Sequence, residues 1–193
     1  MGGNCVESKL EKMIKAFIPF NEQEERDQYL LLDSLKQEGV FTRDNRICHF
    51  TASAWVVNER RDKVLMAYHN LYNSWAWLGG HADGNEDLLA VALKEVKEES
   101  GLSYVRPVSE GIFSLESLTV DGHIKNGIYV SSHLHLNVTF LIEGKENESL
   151  QIKEDENSDV AWFSLEEAVA ASNEKWFREN VYTKLNDKLK LID

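Results

Sequence analysis

Glu95, Glu98 and Glu99 fall at i, i+3 and i+4 in a segment, 88–100, whose Leu88, Leu89, Val91, Ala92 and Val96 repeat with helical period. On a helix the three carboxylates share one face. Like charges at these spacings repel by about 0.2–0.5 kcal/mol per pair. Carboxylates near a helix C-terminus also oppose its dipole, by roughly 0.3–1 kcal/mol each. Folding alone disfavours such a face, even with Lys94 and Lys97 softening it. A divalent cation reverses the balance, because Mg²⁺ takes hard oxygen ligands from one or two carboxylates and completes its shell with water and phosphate oxygens. The chemistry these residues point to is a metal seat for a phosphorylated ligand.

Gly80 is followed after five residues by Glu86, and after seven more by Lys94-Glu95-Val96-Lys97-Glu98-Glu99-Ser100-Gly101-Leu102. This resembles the Nudix box, G-x5-E-x7-R-E-U-x-E-E-x-G-U with U aliphatic, at every defined position except that Lys94 replaces Arg. The resemblance implies an α/β fold, a Nudix-like α/β/α sandwich with a mixed sheet. It implies that the Gly80 carbonyl, Glu95, Glu98 and Glu99 hold Mg²⁺ or Mn²⁺, that Glu98, Glu99 and Lys94 take part in catalysis, and that Glu86 supports them. The activity implied is hydrolysis of a diphosphate linkage in a small, nucleotide-derived molecule. Lysine offers a point charge where arginine offers a bidentate fork, which predicts a looser site and slower turnover. Leu78 stands where many relatives carry proline, a change that relaxes the loop.

Histidines form the second constellation. His133 and His135 alternate with Leu134 and Leu136, so both imidazoles leave the same strand face, opposite the apolar one. His81 follows Gly80 directly and is expected to support the metal loop, while His49, His133 and His135 are candidates for binding substrate. His49, His81 and Glu156 together resemble the metal-ligand distribution of isopentenyl diphosphate isomerase, although Gly79 stands where that enzyme has its catalytic cysteine. Glu156, in the acidic run Glu154-Asp155-Glu156, is the candidate general base. Trp75, Trp77 and Tyr68 flank the box, where they could stack a nucleobase or simply pack as core. Two rival readings remain: a sensor that kept the box without efficient turnover, and an isomerase acting on an allylic diphosphate.

These residues need a scaffold. Leu10, Met13, Ile14 and Phe17 predict a first helix broken by Pro19, and Asn21 with Glu24 caps a second that Gly39 is expected to stop. Residues 47–57 and 63–69 read as a hairpin, 105–118, 128–142 and 160–163 as further strands. In 128–142 strict alternation predicts one buried face. Ser164 with Glu167 makes a capping box, and a last helix runs from Asn173 to about Lys190. The division expected is a helical extension over 1–45, packing on the domain or on a second subunit of a homodimer, and a catalytic domain over 46–193.

Composition supports a soluble domain of 193 residues, 42% of them hydrophobic and 28% charged, with net charge −12. Excess negative charge and scattered lysines and arginines argue against a nucleic-acid polymer as partner. No apolar run is long enough for a membrane span, nor does the N-terminus resemble a signal peptide, so a cytoplasmic location is expected. Cys5 and Cys48 form neither a disulfide framework nor a C-x-x-C metal motif.

Overall fold

A computed structural model describes residues 7–125 and 127–192, so Cys5 lies outside the described residues. Two helices come first, α1 (Lys9–Ala16) and α2 (Glu22–Ser34). They are followed by β1 (Cys48–Val57), β2 (Lys63–His69), β3 (Ser74–Ala76) and β4 (Leu78–His81). The carboxylate-bearing helix is α3 (Leu88–Ser100). Then come β5 (Val105–Pro107), β6 (Ser114–Val120), a hairpin of β7 (His123–Lys125) and β8 (Ile128–Val130), β9 (His133–Gly144) and β10 (Asn157–Ser164). The chain closes with α4 (Leu165–Ala171), α5 (Lys175–Phe177), a π-helical turn (Arg178–Tyr182) and α6 (Thr183–Leu189).

At the centre β1 and β9 run parallel over ten residue pairs, from Cys48↔Leu134 to Val57↔Glu143. β2 and β4 pair antiparallel with β1, β5 and β6 with β9, and β10 and β3 with β2. All ten residues of β1 are buried, as expected for a parallel strand covered on both sides. One face carries Phe50, Ala52, Ala54, Leu136, Val138 and Phe140 against Val91, Ala92 and Val96 of α3 and Leu10, Ile14 and Leu31 of α1 and α2. The other carries Trp55, Val57 and Leu141 under Ala168 of α4 and the segment holding Val181, Tyr182 and Leu185. Trp55 stacks on Tyr182 with ring centroids 5.4 Å apart. The result is a mixed sheet between helical layers.

Three local expectations are corrected. The strand expected over 105–118 is two: β5 pairs down to Ile142 and β6 begins at Thr139, so 108–113 loop out against only two residues of β9. The strand expected over 128–142 is also two, because β8 pairs back on β7 through a turn at Gly127, whose φ is 78°. Helix α2 stops at Ser34, five residues before Gly39, where Lys36 and Gln37 N–H groups tighten onto the Asp33 and Ser34 carbonyls.

β9 is buried on both faces from Leu136 onward, not on one. Its second face is polar yet enclosed: Asn137 donates to Glu116 (2.9 Å), Thr139 donates to the same carboxylate (2.8 Å), and Lys184 lies 2.9 Å from Glu116. Ser114 donates to Glu24 of α2, which also pairs with Lys188 of α6. A polar network that is fully bonded reads in sequence as a solvated strand face, which is why periodicity alone mistakes it.

Candidate active site

α3 is held at both ends. Asp87 accepts the Ala90 N–H at 3.2 Å as N-cap, and Gly101, at φ 72°, ends the helix in the left-handed conformation that glycine adopts without strain. β4 brings the two preceding glycines against the helix. A Cβ on Gly80 would sit 2.7 Å from the Glu95 carboxyl carbon, and one on Gly79 would sit 2.5 Å from the Ala52 carbonyl oxygen. Only glycine allows this approach. In return the Gly79 N–H donates to Glu99 at 2.9 Å, tying the first loop of the box to the end of its helix.

The carboxylates grade from inside to outside: Glu95 and Glu99 are buried and Glu98 is half-exposed. Burial pushes the Glu99 carboxyl up to about 8, with the charges of Glu95 and Glu156 adding to it and the Gly79 hydrogen bond and Lys153 opposing. Lys94 spans two carboxylates, 3.2 Å from Glu95 and 3.1 Å from Glu98. Lys153, from the loop before β10, lies 2.9 Å from Glu156, 3.6 Å from Glu98 and 3.8 Å from Glu95. Glu156 therefore faces the carboxylates of α3, and three acidic groups from two elements converge on one cationic centre. Such a donor set, all hard oxygens, fits a Mg²⁺ or Mn²⁺ ion.

Glu86 is not part of this group. It is exposed in the loop beside Asp87, at the N-terminal end of α3. Among the described residues no hydrogen bond or ion pair joins it to Glu95, Glu98 or Glu99. Trp75 and Trp77 pack in the second apolar cluster, on the sheet face away from α3, edge-on to Phe163 and Phe177. Both rings are partly buried against that cluster.

His49, His81, His133 and His135 lie together, apart from the carboxylates. Gly80 turns toward Glu95, so His81, the next residue of β4, projects from the opposite face, in register with Thr51. His49 and His135 are register partners on that same face. Between the two groups sits Arg43, bidentate to Asp83 at 2.8 and 2.7 Å, whose charge acts on Glu95 and Glu156 as well as on His49, His81 and His135. Neither Arg43 nor Lys153 was legible in the sequence. The only signal was a lysine three positions before Glu156 in an acidic loop.

Glu156 meets the α3 carboxylates through Lys153, whereas His49 and His81 belong to the histidine group. Cys48 does not supply the missing thiol: its Sγ is bonded to Gln37 (3.4 Å), and it lies five residues along β1 from Ser53, the partner of Gly79, or roughly 17 Å.

A NUDIX domain matches residues 49–185. Three solved structures share the fold. A hydrolase of the NUDIX family from Clostridium perfringens is 23% identical, covering 75% of this chain and 98% of its own, with TM-score 0.54. A MutT protein from Methanosarcina mazei Go1 is 18% identical, covering 76% and 98%, with TM-score 0.58. A C. elegans Ap4A hydrolase in a binary complex is 17% identical, covering 74% and 99%, with TM-score 0.54. No curated protein matches the sequence. The chain belongs to the NUDIX family of pyrophosphohydrolases. α1 and α2 precede the matched region, yet share its apolar core. Among the described residues no helix is long and apolar enough to cross a membrane.

Proposed function

We propose that the protein hydrolyses the diphosphate linkage of a small, nucleotide-derived molecule, releasing two phosphorylated products or one and phosphate. The observation that carries this is the convergence of Glu95, Glu98 and Glu156 on one cationic position, beside a glycine loop anchored by Glu99. Glu95, Glu98 and Glu99, with the Gly80 carbonyl, would hold Mg²⁺ or Mn²⁺. When bound, such an ion would supply neutralising charge at the phosphate oxygens and lower the pKa of a water nucleophile. Glu156 would accept the proton of that water, and Lys94, 3.2 Å from Glu95 and 3.1 Å from Glu98, would steady both carboxylates. Nucleoside diphosphate sugars, dinucleoside polyphosphates and nucleoside triphosphates are the substrate classes to try first.

The test is release of phosphate and phosphomonoester from a panel of nucleotide and non-nucleotide diphosphates, with Mg²⁺ and Mn²⁺ supplied separately and Glu98→Gln as the blank. Turnover that disappears in the blank supports the hydrolase. Ligand-induced thermal stabilisation with no turnover on any substrate would replace it with the sensor reading.

A further inference from the structure

We propose that His49, His81 and His135 form a second metal site, one for a divalent ion of the zinc, cobalt and nickel class, on the sheet face opposite the carboxylates. One ring nitrogen from each of the three lies within 4.8 Å of those of the other two. The ring centroids stand 4.8 to 5.2 Å apart. Three different strands, β1, β4 and β9, deliver them, so the cluster is held by sheet register and not by a flexible loop.

The protonation pattern is that of ligands. His49 Nδ1 lies 3.0 Å from the Asn45 carbonyl, which can only accept, so Nδ1 carries the proton and Nε2 presents a lone pair. That Nε2 is buried without a partner, in a residue only 4% exposed. An orphaned acceptor in the interior costs free energy that a bound cation would recover. Donation of the non-ligating nitrogen to a backbone carbonyl is also how metal-bound histidines are oriented.

His133 supplies a second support. Its Nδ1 donates to the Ser131 carbonyl at 2.8 Å, and its Nε2 meets His135 Nε2 at 3.2 Å, fixing the third ring. Neutral imidazoles are the form that binds a metal.

Nitrogen donors select against Mg²⁺, which demands oxygen, and for borderline ions with imidazole affinity. Tetrahedral ligands at about 2.1 Å from one ion sit about 3.4 Å apart, within reach of modest ring rotations from the observed spacing. Three histidines leave a fourth position for water or an exogenous ligand. Since His81 follows Gly80, an ion here would also stiffen the strand that carries the start of the carboxylate site.

The site is tested independently of turnover. Protein stripped by chelator is titrated with Co²⁺ in excess Mg²⁺, then with Zn²⁺. The expected result is one equivalent of Co²⁺ with visible ligand-field absorption, displaced by Zn²⁺, and thermal stabilisation of several degrees by Zn²⁺. The Glu95→Gln/Glu98→Gln double variant should keep both signals. His49→Gln and His135→Gln, at a less deeply buried position, should each weaken Zn²⁺ binding at least about 100-fold. Circular dichroism checks folding, and if His49→Gln does not fold, His135→Gln decides. Absent Co²⁺ absorption in the wild type, absorption that survives His135→Gln, or absorption lost with the carboxylates would each overturn the site.

Discussion

The carboxylate of Glu24, in the first turn of α2, lies 2.7 Å from the ammonium of Lys188 in α6, 164 positions later, and Glu24 is fully enclosed. Lys184 is 3.4 Å from the same carboxylate and 2.9 Å from Glu116. α2 and α6 are thus joined by charge beneath the sheet. Removing one member strands the others in the interior, which costs about 3–5 kcal/mol, more than the pair itself contributes. Glu24→Ala is expected to lower unfolding free energy by that order in urea denaturation. A loss below about 1 kcal/mol would show that the network is not enclosed in solution.

The same pair sets an acid limit. Burial alone would raise the Glu24 carboxyl, but Lys184, Lys188 and Ser114 outweigh it and hold it below its ordinary 4.5. The unfolded chain therefore binds a proton at higher pH than the folded one. The contribution is fully present above about 4.5 and is lost as pH falls through the folded value. The stability difference between wild type and Glu24→Gln should be constant near neutrality and shrink on acidification. A difference that does not change with pH would contradict the shift.

Glu98 is half-exposed and bonded only to lysines, so its amide should fold normally. Glu98→Gln is expected to reduce kcat/KM at least about 100-fold while leaving the melting temperature within a degree or two. Full activity in this variant would remove the carboxylate face from the mechanism.

Lys94 touches both carboxylates that an arginine would fork, but it is largely exposed. Lys94→Arg should leave kcat/KM within about threefold, and Lys94→Ala should reduce it about tenfold, since only the alanine frees Glu95 and Glu98 to drift. Stability should change by less than about 0.5 kcal/mol in either. Equal rates for all three would mean that the position is only a solvated helix face.

Lys153 occupies with its ammonium the place where Glu95, Glu98 and Glu156 converge. It competes with a cation for the same oxygens. Lys153→Met is expected to tighten Mn²⁺ binding at least about threefold in calorimetric titration and to lower the stability of the metal-free protein. Weaker Mn²⁺ binding would make Lys153 a partner of the ion and not its rival.

The sequence made the carboxylate face legible because i, i+3 and i+4 spacing on one helix is local geometry, and Gly80 and Gly101 bracket it. Helix starts were legible for the same reason: Asn21 and Ser164 accept the Glu24 and Glu167 N–H groups as expected. What was missed depends on partners far along the chain. Asn137 and Thr139 read as solvent-facing until Glu116 and Lys184 are brought over them, and Lys153 has no address without the fold. Glu86 matched a motif position, and among the described residues it lies exposed in the loop before α3 with no hydrogen bond or ion pair to Glu95, Glu98 or Glu99.

The parallel pairing of β1 with β9 also orders events in time. Thr51 and Asn137, register partners, are 86 positions apart, whereas β4 returns to β1, and Gly79 meets Glu99, within residues 48–101. Short closures precede long ones. On a ribosome, the glycine loop and the carboxylates of α3 can come together while β9 is still unmade. The histidine cluster must wait for His135, and Lys153 and Glu156 arrive last. The two candidate metal sites, separated by one sheet in space, are separated by tens of residues of synthesis in the order of their assembly.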